Sequence, residues 1–142
     1  MFDIRSSIIL VLITLVGCAT VHSSIMRSAD NLGSSAGEFA VDAGRDFPQA
    51  GEFANQAGYF LETVDHASDR EVISAYERLW AAYHALRYEV EHSGNQRAEA
   101  DFKPVTQAFT HVARDIRGYA DADGSLYARG GFQHDPYYDA NP

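Results

Sequence analysis

An all-α fold is predicted: an antiparallel bundle of three to four helices with a flexible N-terminal tether and an irregular C-terminal tail. Three features of the 142-residue sequence point to it. Two long segments carry apolar residues at steps of three and four, the spacing of one helix face. A further region repeats the pair Ala-Gly every seven residues, which keeps one side of a helix turned toward one partner. No segment alternates polar and apolar residues for long enough to make a convincing strand.

The first element is a leader. Met1-Phe2-Asp3-Ile4-Arg5-Ser6-Ser7 is followed by an apolar run over residues 8–16 that only Thr14 interrupts, and then by Gly17 and Cys18. The run has the length of a signal-peptide core and falls short of the ~20 residues of a comfortable bilayer span. The box Leu15-Val16-Gly17-Cys18 resembles the lipobox of bacterial lipoprotein precursors. The resemblance covers roughly the first twenty residues. One departure is that Asp3 offsets Arg5, so the usual positive start is weak.

The resemblance implies that residues 1–17 are a signal peptide, that the Cys18 thiol receives a diacylglyceryl group, and that cleavage occurs before Cys18. It also implies three acyl chains of the palmitate type on the mature cysteine. One chain alone holds a protein to a membrane only marginally, at roughly 0.8 kcal/mol per buried methylene, so three make the anchor effectively permanent. Ala19 stands where the enterobacterial pattern places an inner-membrane retention aspartate, which favours the outer membrane. Cys18 is the only cysteine. Once acylated, it leaves no thiol for a disulfide, a thiolate metal site, a covalently attached haem or a nucleophile. The fold must then hold by packing alone.

Residues 18–33 read as a lipidated tether, small and polar, with Ser23, Ser24, Ser28 and Gly33. Helix is expected to start near Ser28 or Asn31. The bundle domain is placed at residues 34–120, long enough for one modest core.

Its first part carries the repeat: Ala36-Gly37, Ala43-Gly44, Ala50-Gly51 and Ala57-Gly58. The implied seam runs Ala36, Ala40, Ala43, Phe47, Ala50, Ala54, Ala57, Leu61 and Val64, in steps of four and three. An ordinary amphipathic packing face is the plain interpretation of such a heptad. The sharper one is a candidate helix-association seam, at which small side chains let another helix come close. Each interior glycine weakens a helix by roughly 1 kcal/mol against alanine, so this part needs a packing partner. Pro48 removes one amide donor and crowds the carbonyl of Gly44. Either one long helix is kinked there, or two helices meet with Asp46 or Phe47 at the cap and Pro48 in the first turn. The unbroken seven-residue register favours the kink.

Ser68-Asp69-Arg70-Glu71 is a capping box, and Val72, Tyr76, Leu79, Tyr83, Leu86 and Val90 follow at helical steps. Ala75, Trp80 and Ala82 widen that face, and the helix is expected to stop near His92, before Ser93-Gly94-Asn95. The next helix presents Phe102, Val105, Phe109, Val112, Ile116 and Tyr119. Asp101 is its expected N-cap, which would leave Pro104 harmlessly in the first turn. Residues 121–142 hold Gly, Asp, Asn and Pro around Tyr127, Phe132, Tyr137 and Tyr138 without a period, and read as a tail.

The net charge is −9, and Lys103 is the only lysine among 11 basic residues. The acids are scattered, and no basic patch exists for nucleic acid or for anionic lipid heads. A soluble acidic surface is the simplest account.

Candidate chemistry is sparse. His66, His84, His92 and His111 lie in or near helices, while His22 and His134 fall in the tether and tail. A carboxylate-bridged dimetal bundle needs two Glu-x-x-His segments. Only Glu89-Val90-Glu91-His92 matches; Glu62-Thr63-Val64-Asp65 ends in Asp, and His92 points about 120° away from Leu86 at ~100° per residue. Met26 and His111 occupy places loosely similar to the haem ligands of small four-helix b-type cytochromes. Tyr76, Trp80 and Tyr83 with Arg87 form an aromatic stripe that fits a core better than a ligand platform. Asp121-Ala122-Asp123-Gly124 lacks the spacing of a calcium loop. No serine elbow, phosphate loop or His-Glu-x-x-His is present.

The expectation is therefore a lipoprotein of the cell envelope, at the outer membrane rather than the inner, facing the periplasm or the cell surface. It is held by acyl chains on Cys18 and has a non-catalytic structural or protein-interaction role. Its expected partners are the membrane and a protein or second copy meeting Ala36, Gly37, Ala43, Gly44, Ala50, Gly51, Ala57 and Gly58; no cofactor, metal or nucleic acid is expected. The alternative is a haem- or metal-binding helical-bundle carrier.

Overall fold

The computed structural model describes the backbone of residues 4–123 and the side chains of residues 22–118 other than Asp69. It contains four helices in sequence: α1 (Ile4–Ala43), α2 (Pro48–His66), α3 (Asp69–His92) and α4 (Gln96–Asp123). Helix α1 packs on α2 and α4, α2 on α3, and α3 on α4, whereas the diagonal pairs do not meet. This is an up-down-up-down bundle with short turns, as tight connections between antiparallel neighbours require. Among the described residues there is no strand, and no helix is long and apolar enough to cross a membrane.

The period-reading residues form the core. On α3, Val72, Tyr76, Leu79, Tyr83, Leu86 and Val90 are all buried. On α4, Phe102, Val105, Phe109, Val112 and Ile116 are buried, and the side chain of Tyr119 lies outside the described residues. Each large apolar side chain taken from water in this way contributes roughly 1.5–3 kcal/mol.

The chain breaks between α1 and α2, so the kink favoured by the register is not what forms. Residues 44–47 make a turn in which the N–H groups of Asp46 and Phe47 reach the Ala43 carbonyl, at 3.0 and 3.1 Å. Phe47 is the N-cap of α2 in an extended conformation, and Pro48 is the first helical residue, where its missing N–H has no partner to lose. Gly44 is required here, because a Cβ at that position would run into the carbonyl oxygen of Ala40.

The bundle also begins earlier than residue 34. Ile25, Ala29, Leu32, Ala36 and Phe39 are buried at steps of four and three, continuous with the rest of α1. Ser28 is buried with them, its hydroxyl donating back to the carbonyls of Ser24 and Ile25 at 3.2 and 3.1 Å. Serines that bond within their own helix are compatible with a packed stripe, so the boundary between tether and domain moves toward Ser24.

The start of α4 is a second correction. It begins at Gln96, and Asn95 rather than Asp101 caps it: the Ala98 N–H donates to Asn95 Oδ1 at 3.2 Å. Pro104 is therefore inside the helix and leaves the Ala100 carbonyl without its usual donor. Both residues are exposed, so water can take that place. The end of α3 and the start of α4 share one tight turn, for which Gly94 adopts a φ of 67°. At the start of α3 the Ser68 N–H and hydroxyl both donate to Glu71 Oε2, at 2.9 and 2.7 Å, which is the glutamate arm of the capping box.

Candidate functional site

Cys18 falls within the backbone span of α1, and its side chain lies outside the described residues. Among the described side chains the first buried one is Ile25, and the two helix ends beside it are tied to α1. Ser24 donates its hydroxyl to Asp115 Oδ2 of α4 at 2.9 Å, and Asp115 also meets Arg114 at 3.2 Å. Met26 and Asp30 of α1 share a groove with Gly58, Leu61, Glu62, Asp65 and His66 of α2.

The Ala-Gly seam divides into two faces. Ala36, Ala50 and Ala57 are buried inside the chain's own core, and Ala43 and Ala40 are half-buried against it. The alanines therefore serve ordinary packing between neighbouring helices. The glycines sit one residue on, about 100° around the helix, and turn outward. Gly51 and Gly58 are exposed, and a Cβ at either, or at Gly37, would meet nothing within 4 Å. Phe39, not Ala40, supplies the large core side chain of this stretch, meeting Phe47 at 6.0 Å and Phe102 at 5.2 Å between ring centroids.

The candidate ligand residues are not gathered. Glu89 accepts the Gln49 N–H at 3.3 Å, Glu91 pairs with Arg87 at 2.6 Å, and His92 stacks on Tyr88 at 4.0 Å. The one true Glu-x-x-His segment is thus spread over three partners. His66 pairs with Asp65 at 2.9 Å, and both are exposed. Met26 packs on the side of α2, whereas His111 is exposed on α4. His84 lies against Trp80 at 4.1 Å and Tyr83 at 5.3 Å. Among the described residues no three His, Cys, Asp or Glu side chains stand close enough together to hold a metal ion. His134 and the aromatic tail residues lie outside the described residues.

The aromatic stripe of α3 is core. Tyr76 and Tyr83 are buried, Trp80 is partly buried against the same cluster, and Arg87 turns to Glu91. Burial pushes the Tyr83 phenol above its ordinary pKa, with the hydrogen bond from Tyr83 to Thr106 at 3.3 Å acting in the opposite direction. Among the described residues the large exposed apolar side chains are Val41, Tyr59 and Tyr88, on three different helices. Tyr59 has Arg78 over its ring at 5.5 Å.

No protein-family model, no curated protein and no solved structure matches the chain.

Proposed function

We propose that this chain is a membrane-anchored lipoprotein whose helical bundle has a non-catalytic structural or protein-interaction role in the cell envelope, at the outer membrane. One observation carries the reading. The box Leu15-Val16-Gly17-Cys18 closes an apolar run, and Ile25, a core residue of the bundle, follows within two helical turns. An acylation site placed directly before a packed domain is what a lipid-anchored module needs. The described interior is a packed core of aromatic and aliphatic side chains, which gives such a module a stable body.

The test is expression in a bacterial host fed radiolabelled palmitate, followed by intact-mass measurement. Label in the wild type and not in Cys18→Ser, with residues 1–17 absent from the mature chain, supports the proposal. An unmodified sulfur with residues 1–17 still attached overturns it.

A further inference from the structure

Resting on the lipid-anchor reading, we infer that the bundle stands end-on over the bilayer. The α2–α3 turn and the last turns of α4 face the lipid headgroups, and the Gly44 and Gly94 turns face away. The topology places these ends. The middle of α1, where its buried stripe begins among the described side chains, is bonded to α4 through Ser24 and Asp115, and it shares a groove with the end of α2 at Asp65 and His66. The other end is fixed by Phe39 against Phe47 and Phe102.

Chain length then limits the gap. Cys18 and Ile25 both belong to α1, so continuous helix separates them by about 10 Å at 1.5 Å per residue. Even fully extended, the same seven steps span only about 25 Å. From Ile25 to Ala43 the helix carries the far end about 27 Å further from the anchor. A spacer this short cannot let the domain leave the membrane surface, so a protein partner would meet it through the far end or the sides.

Charge does not set this orientation. The near end mixes Glu62, Asp65 and Glu71 with Arg70, Arg114 and Arg117, which is no polybasic face. The one lysine, Lys103, is exposed and lies beside Phe102, near the far end. It is therefore a natural single-site probe once the amino group of Cys18 is acylated.

The experiment uses the full lipidated protein, labelled at lysine with an amine-reactive donor. It is reconstituted into phosphatidylethanolamine–phosphatidylglycerol vesicles carrying a headgroup-linked acceptor. The comparison protein is the double variant Lys103→Arg, Arg70→Lys, which moves the label from the far end to the first turn of α3. The two sites differ in height by about 20 Å, from the helical rise between Ile25 and Phe39. Energy transfer at least twofold stronger in the double variant is expected. Protein that floats with the vesicles but transfers equally from both sites, or more from Lys103, overturns the orientation. Protein that does not float with the vesicles overturns the lipid anchor instead.

Discussion

The contact between α1 and α2 and the contact between α3 and α4 are closed by opposite means. Along the first, Ala29, Ala36, Ala50 and Ala57 are buried, and the backbones run close. Along the second, rings fill the space: Tyr83 stacks on Phe109 with centroids 3.9 Å apart and planes within 7°, and Tyr83 also stacks on Phe102 at 5.9 Å. Neighbouring helices α3 and α4 come together least of all the adjacent pairs. Interaxial distance follows the size of the side chains at the contact, so one bundle can be narrow on one side and wide on the other. The lesson is that small residues on α1 and α2 gain their stabilisation from close approach, while α3 and α4 gain it from buried ring area.

Emptying the wide side gives the largest expected effect. Tyr83→Ala removes a fully buried ring that touches Phe53, Phe102 and Phe109, and should lower the unfolding free energy by about 3–5 kcal/mol in urea titrations. The matching test of the narrow side is Ala57→Leu, which overfills a site with no exposure and should cost about 1–3 kcal/mol. If Ala57→Leu were neutral, the close approach on that side would not be real.

The glycines sharpen the comparison at a smaller scale. Gly51→Ala and Gly58→Ala put a methyl group into open space on exposed helix surface, and each should raise stability by up to about 1 kcal/mol. Gly44→Ala should do the reverse, because its methyl meets the Ala40 carbonyl at the end of α1. Thermal melts of the three variants check the sign. A stabilised Gly44→Ala would mean the turn has another conformation available.

Legibility followed the strength of the period. Helices α3 and α4 could be read because their stripes pair large residues at every step, and each of those with a described side chain is buried. The Pro48 break was not legible from the repeat. Both α1 and α2 need an inward alanine face, and the turn of residues 44–47 is about one helical turn long, so the seven-residue spacing runs on while the chain reverses. The start of the bundle was obscured by composition: Ser23, Ser24 and Ser28 suggest a spacer, yet Ile25, Ala29 and Leu32 already carry the packing step. Asn95 was hidden by its neighbours, since Ser93-Gly94-Asn95 ends one helix and caps the next within the same turn. As for the site, the Leu15-Val16-Gly17-Cys18 box is carried by sequence alone. The outward turn of Gly51 and Gly58 needed the positions of the neighbouring helices.

Two titrations separate the core from the surface. Burial raises the Tyr83 pKa above its ordinary 10.0. Above that ordinary value the unfolded chain loses the phenolic proton while the folded chain keeps it, so stability falls as pH rises until the folded group ionises too. Tyr83→Phe keeps the ring and gives up the 3.3 Å bond to Thr106, and should cost about 0.5–1.5 kcal/mol at neutral pH while flattening the alkaline loss. An unchanged alkaline slope would mean that Tyr83 does not titrate from a buried state.

The smallest effect is expected at the exposed capping box of α3. Hydrogen bonds from the Ser68 hydroxyl and N–H hold the Glu71 carboxyl below its ordinary 4.5. A depressed carboxylate stabilises the fold above the unfolded value and loses that contribution as pH falls through the folded one. Glu71→Gln should therefore melt slightly below the wild type at pH 7, and the difference should shrink as pH falls below the ordinary carboxylate value of 4.5. Glu71 lies at the surface, turned away from the packed face that begins at Val72, so the bundle interior does not feel this change. A difference that did not shrink with falling pH would place the role of Glu71 in packing rather than in its charge.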